Sequence, residues 1–179
     1  MNRRTALRRF AISGAAAILL PACVRDSKQV SVALENLEIS ADDEELMAQL
    51  AQTLIPGTDK PGARAVNAHL FALVMVDDCL SPEKKEVFSR GLKAFDKSAP
   101  VPGGKTFTEA ASEEKTETLR ILSNDQTSGD VREFFDISRR YIIQGYTTSQ
   151  YFMTEVKPHK LVPGPVYKGC VSLPQNLQS

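Results

Sequence analysis

Val131-Arg132-Glu133-Phe134-Phe135-Asp136-Ile137-Ser138-Arg139-Arg140-Tyr141-Ile142-Ile143-Gln144-Gly145 is the stretch that decides the fold class. Val131, Phe134, Phe135, Ile137, Ser138, Tyr141 and Ile142 recur at three- and four-residue steps, so they share one side of an α-helix. The spacing predicts a strongly amphipathic helix from Val131 to Gly145. No stretch of the chain sustains the period-2 alternation of a half-buried strand, and the helical period recurs upstream.

Working toward the N-terminus, Ser112-Glu113-Glu114-Lys115 predicts the cap of a short helix that carries Leu119, Ile121 and Leu122. Pro100 to Lys105 reads as a Pro/Gly loop. Ser81-Pro82-Glu83 starts another helix, with Ser as N-cap and Pro at its first position, and Val87, Phe88, Leu92 and Phe95 form its apolar face. Ala63 to Leu80 reads as one long helix with Val66, Leu70, Leu73, Val74 and Asp77 along one side, widened by Phe71 and Met75. Ser40 predicts an N-cap, with Asp42, Asp43, Glu44 and Glu45 at the positive end of the helix dipole. Leu46, Leu50 and Leu54 follow, flanked by Met47 and Ala51, until Ile55-Pro56 ends the run, because a residue before proline disfavours the helical region. Between these helices, Pro56-Gly57-Thr58-Asp59-Lys60-Pro61-Gly62 holds two Pro-Gly pairs and predicts a shaped turn, with Gly57 and Gly62 needing either positive φ or a tight bend.

Toward the C-terminus, Thr147 to Thr154 predicts a last helical turn or two, and the chain beyond Lys157 is rich in proline and glycine. The expected fold is therefore all-α: a single irregular helical domain of about five helices with an extended Pro-rich C-terminal tail. The expected divisions are a leader at 1–22, a tether at 23–39 without helical period, a helical domain at 40–157 and an irregular tail at 158–179.

The leader carries Arg3, Arg4, Arg8 and Arg9 ahead of an apolar run from Ala11 to Leu20, too short to span a bilayer as a helix. Asn2-Arg3-Arg4-Thr5-Ala6-Leu7-Arg8 resembles the twin-arginine export pattern, with Ala6 where a large aromatic is usual. Leu20-Pro21-Ala22-Cys23 resembles a lipobox, which leaves two fates open: lipidation of Cys23, or ordinary cleavage after Ala22. Export to the periplasm by the twin-arginine machinery is the expected destination. Without the leader, 18 basic residues stand against 22 acidic ones, a net charge of about −4, and no basic patch in the sequence suggests nucleic-acid binding.

Catalytic patterns are absent from the sequence. It has no G-x-S-x-G, G-x-G-x-x-G or P-loop, so no catalytic or cofactor-binding residue is assigned. His69 and His159 lack further ligands at metal-binding spacing, so no metal site is expected, and His69 is expected at the helix surface or an interface. Asp77 and Asp78 point about 100° apart on a helix, unlike a carboxylate dyad, and are expected as a solvated helix terminus. Cys79 and Cys170 leave three states open: paired with each other, paired across subunits, or free thiols.

Two segments carry more information than their composition. Thr53-Leu54-Ile55-Pro56-Gly57-Thr58-Asp59-Lys60-Pro61-Gly62-Ala63 and Gln144-Gly145-Tyr146-Thr147-Thr148-Ser149, with Pro165-Val166-Tyr167-Lys168-Gly169-Cys170 after a gap, resemble the gluconate 2-dehydrogenase subunit 3 family over roughly residues 42–171. Thr147 departs from the aromatic more usual after Gly-Tyr. The resemblance implies a non-catalytic small subunit of an exported flavin-dependent dehydrogenase of sugars or sugar acids. Its partner would be a large FAD-containing subunit of the glucose-methanol-choline type, with a multihaem cytochrome c subunit, holding haem c, as onward acceptor. The small subunit would supply the export signal and stabilise the large one, and no cofactor is expected in this chain. Pro56, Gly57, Pro61, Gly62, Gly145, Tyr146, Tyr151 and Tyr167 are the candidate interface residues, with the Pro-rich tail wrapping the partner. The alternative is a free-standing periplasmic lipoprotein acting as a ligand-binding or scaffold module.

Overall fold

The computed structural model describes residues 30–124 and 129–158. Arg3, Arg4, Cys23, His159, Tyr167 and Cys170 lie outside the described residues. Those residues hold five α-helices and one π-helical turn, with no strand among them: α1 (Ala41–Leu54), α2 (Ala68–Cys79), α3 (Pro82–Ser98), α4 (Ser112–Asn124), α5 (Asp130–Thr147) and the π-helical turn Phe152–Val156. The all-α expectation holds.

Helix α5 is the spine, packing most extensively on α3 and then on α2. Its buried face is Phe134, Phe135, Ser138, Tyr141, Ile142 and Gly145, the stripe that the period marks out, while Val131 and Ile137 are only partly covered. Phe134 meets Phe88 and Phe95 of α3 at centroid distances of 5.0 and 5.1 Å, and Phe95 meets Phe107 edge-on at 5.1 Å. Such tilted aromatic contacts add to simple burial. The approach of α3 to α5 depends on Gly91, where any Cβ would run into the Asp130 carbonyl and the Phe134 side chain.

Side-chain hydrogen bonds close the starts of α1 and α4. Ser40 and Asp43 form a capping box: the Asp43 N–H donates to Ser40 Oγ at 3.2 Å and the Ser40 N–H donates to Asp43 Oδ2 at 2.9 Å. A cap of this kind is worth about 1 kcal/mol. At α4 the expected cap, Ser112, is instead the first helical residue, and the Glu114 carboxylate accepts the Ala111 N–H at 2.7 Å. Helix α2 begins later than its sequence suggests. Asn67 adopts φ 57°, ψ 32°, the left-handed region that Asn tolerates, so residues 63–67 form turns and the helix starts at Ala68.

Residues 30–39, expected as part of a tether, lie against the helical body. Leu37 is 6% exposed and part of the core, with Leu34 and Ile39 partly covered beside it.

Candidate partner interface

The double Pro-Gly turn is closed from both ends. Ile55 leaves α1 with φ −136° and ψ 85°, and the Ala63 N–H returns to the Ile55 carbonyl at 2.9 Å. A Cβ on Gly62 would sit 2.6 Å from the Ile55 carbonyl oxygen, 2.7 Å from the Pro56 carbonyl carbon and closer still to the Gly57 nitrogen. Gly57 is roomier, with the Gly62 nitrogen at 3.3 Å and the Lys60 oxygen at 3.5 Å. Neither glycine has positive φ, so crowding of backbone on backbone, rather than dihedral freedom, reserves position 62 for glycine. Pro56, Gly57 and Pro61 are exposed, and Arg64 holds the turn to α1 through Glu45 at 2.9 Å.

The end of α5 meets this turn. The Tyr146 hydroxyl donates to the Pro61 carbonyl at 3.3 Å across 85 positions of sequence. One residue earlier, a Cβ on Gly145 would lie 2.9 Å from Phe71 Cδ1 and 3.1 Å from the Ala68 carbonyl oxygen, so α5 rests directly on α2 there. Thr147, Thr148 and Ser149 donate their hydroxyl protons to the carbonyls of Ile143 (2.9 Å), Gln144 (2.8 Å) and Tyr146 (2.7 Å). These donors are thus satisfied within the helix end and need no solvent partner. Tyr146 stacks edge-on against Phe152 at 5.6 Å, and Tyr151 lies at the adjoining groove rather than in that pair.

Helix α2 is apolar on nearly every side. Ala68, His69, Ala72, Leu73, Val76 and Asp77 face inward, while Leu70, Phe71, Val74 and Met75, the intervening pairs, are half-exposed. An amphipathic surface helix would place charge at those intervening positions. The end of α5 behaves alike: from Tyr141 to Thr154 no residue is charged, in a chain that is 25% charged. Between α2 and α5 runs an open groove of about 410 Å³, with Val66, Phe71, Gly145, Thr148, Ser149 and Tyr151 among its walls. A surface stripped of charge, half apolar and braced by a rigid turn has the make-up of a protein–protein interface core. The two family-like segments are therefore brought together, with Tyr146 as the bond between them.

Other sequence-based expectations change. Asp77 is 2% exposed rather than solvated, and its carboxylate accepts the backbone N–H groups of Glu35 and Asn36, each at 2.8 Å. Burial pushes its carboxyl up, but N–H donors from Glu35, Asn36 and Leu37, helped by Lys85, outweigh burial and hold it below its usual range. Asp78 is exposed, as is Cys79 at the end of α2. His69 is 7% exposed rather than at the surface, and its Nδ1 has no hydrogen-bond partner among the described residues. Burial lowers the pKa of its ring; Glu44 and Glu45 oppose the shift and Arg64 adds to it. Among the described residues no three His, Cys, Asp or Glu side chains gather as metal ligands, and no helix is long and apolar enough to cross a membrane.

Fold and site together define an all-helical domain, whose distinctive feature is the meeting of two distant segments through Tyr146 and Pro61. The sequence model of the family described as gluconate 2-dehydrogenase subunit 3 matches residues 41–164, and the chain belongs to that family. The match starts at the first residue of α1 and covers both segments that meet at Tyr146, but stops short of Pro165–Cys170. No curated protein and no solved structure matches the chain.

Proposed function

We propose that this chain is the non-catalytic small subunit of an exported, flavin-dependent dehydrogenase of sugars or sugar acids. In this reading the α2–α5 face docks on the FAD-containing large subunit and stabilises it. The chain's twin-arginine leader carries the assembled pair to the periplasm, where a multihaem cytochrome c takes the electrons. The observation that carries the proposal is the uncharged α2–α5 face itself, braced by the Pro-Gly turn to which Tyr146 bonds. A leader at Arg3-Arg4 that serves already folded cargo suits a partner that loads its flavin before crossing. Flavin, catalytic base and substrate contacts then belong to the large subunit, and this chain's residues bind and brace. Removal of residues 2–22 tests the proposal: the large subunit should stay in the cytoplasm, and its normal arrival in the periplasm would overturn the export role.

A further inference from the structure

Ahead of α1, the chain is held to the body by carboxylates from two different helices. The Ser31 N–H donates to Glu44 Oε2 of α1 at 2.6 Å. Asp77 of α2 takes the next contacts, the Glu35 N–H on Oδ2 and the Asn36 N–H on Oδ1, each at 2.8 Å. The Asn36 side chain also donates to the Asp77 carbonyl at 3.5 Å, and Leu37 then enters the core. One carboxylate whose two oxygens take consecutive backbone N–H groups fixes the strap in both position and direction. Its attachment point is the last full turn of α2, the helix whose outer stripe forms half of the partner face.

We propose that Asp77 is a latch: by holding residues 34–37 against α2, it seats the C-terminal half of that helix and so positions the partner face. Opening the latch frees the strap and loosens α2 near Val74 and Met75, while the α3–α5 core, to which the strap makes no hydrogen bond among the described residues, stays closed. The strap lies between the leader and α1, so the latch also ties the exported end of the chain to the seated interface helix. The effect on partner binding rests on the proposed function; the effect on the strap does not.

Amide hydrogen exchange on the full chain tests the latch, using Asp77→Asn, Glu35→Pro and the exposed neighbour Asp78→Asn. Asp77→Asn removes the charged acceptor from α2, and Glu35→Pro removes a donor from the strap without touching α2. Both should raise exchange at Asn36, Leu37, Val74 and Met75 by about tenfold or more, leaving Phe134 and Phe135 unchanged, while Asp78→Asn alters nothing. Unchanged strap exchange, or an equal rise at Phe134 and Phe135, would overturn the latch. Co-purification of the flavin-bearing large subunit is the second readout, with weaker retention expected by both latch variants than by the parent chain. Full retention by the latch variants would refute the seating role. If the parent chain itself retained no flavoprotein, the proposed function would fail, and the exchange data would still decide the latch.

Discussion

Gly57 and Gly62 occupy equivalent places in two Pro-Gly pairs of one turn, yet the same substitution should have unequal effects on them. At Gly57 an added Cβ finds its nearest neighbour at 3.3 Å, which a few tenths of an ångström of adjustment relieves. Its φ is not positive, so alanine also gains about 0.4–1 kcal/mol by restricting the unfolded chain. Gly57→Ala should therefore leave stability within about 0.5 kcal/mol of the parent. At Gly62 the added carbon meets the Ile55 oxygen at 2.6 Å and the Pro56 carbon at 2.7 Å, and both are backbone. Relief means opening the turn, which breaks the Ala63–Ile55 hydrogen bond and draws Pro61 away from Tyr146. Overpacking of this kind costs about 1–3 kcal/mol and the lost backbone bond about 1 more, against the same entropic gain. The expected net loss for Gly62→Ala is about 2–3 kcal/mol, or a fall of roughly 5–10 °C in melting temperature for a domain of this size. Urea unfolding of the two variants beside the parent measures both quantities. Equal effects at the two positions, or a neutral Gly62→Ala, would refute the crowding argument.

Acid should weaken the fold in two windows. His69 has a folded pKa below the ordinary value of 6.5, so the unfolded chain binds the extra proton. Its contribution is complete above that value and falls away as the pH drops below it; His69→Leu should flatten stability between about pH 7 and pH 5. Asp77, whose folded pKa lies below the ordinary 3.8, keeps its contribution above that value and loses it below, so Asp77→Asn should lower stability across the range above about pH 4 and flatten the acid loss below it. Both are read from urea midpoints across pH, and a pH profile unmoved by either substitution would contradict the assignment. Gly91→Ala, although it favours helix by about 1 kcal/mol, should destabilise, because Asp130 and Phe134 crowd the site; thermal melting at or above the parent value would contradict that packing.

The helical period made most of the fold legible, because for α1, α3 and α5 burial follows the apolar stripe almost residue by residue: Leu46, Met47 and Leu50; Phe88, Leu92 and Phe95; Phe134, Phe135, Tyr141 and Ile142. Helix α2 shows where that signal fails. It is apolar on nearly all sides, so period alone does not say which face turns inward, and Val76 rather than Val74 is buried. Its start was misplaced because closure of the Pro-Gly turn and the left-handed Asn67 delay it, and neither leaves a mark in hydrophobic spacing. Asp77 and Asp78 are identical side chains in adjacent positions; only the packing of α2 against residues 34–37, some 41 positions away, distinguishes them. The docked strap leaves only a short signal: Val30, Val32 and Leu34 alternate with exposed Ser31, Ala33 and Glu35, but the alternation slips by one residue before Leu37 and Ile39, too brief to mark a docked segment. Of the candidate interface, the Pro-Gly turn and Gly145-Tyr146 were legible as segments. Their meeting through a single hydroxyl, and the charge-free stripe of α2 beside them, needed the fold.

The central claim is that the α2–α5 face holds the flavin-bearing large subunit. Thr148 is exposed at the groove between those helices, and an arginine there stands at the negative end of the α5 dipole, which does not oppose folding. Val74→Lys places a charge on the outer stripe of α2. The measurement is flavin absorbance and large-subunit content co-purifying with the tagged full-length chain, beside each variant's melting curve. The account predicts that the parent chain carries the flavoprotein, and that Thr148→Arg and Val74→Lys lose it while Thr148→Arg melts within a few degrees of the parent. Undiminished flavoprotein on both variants would contradict it.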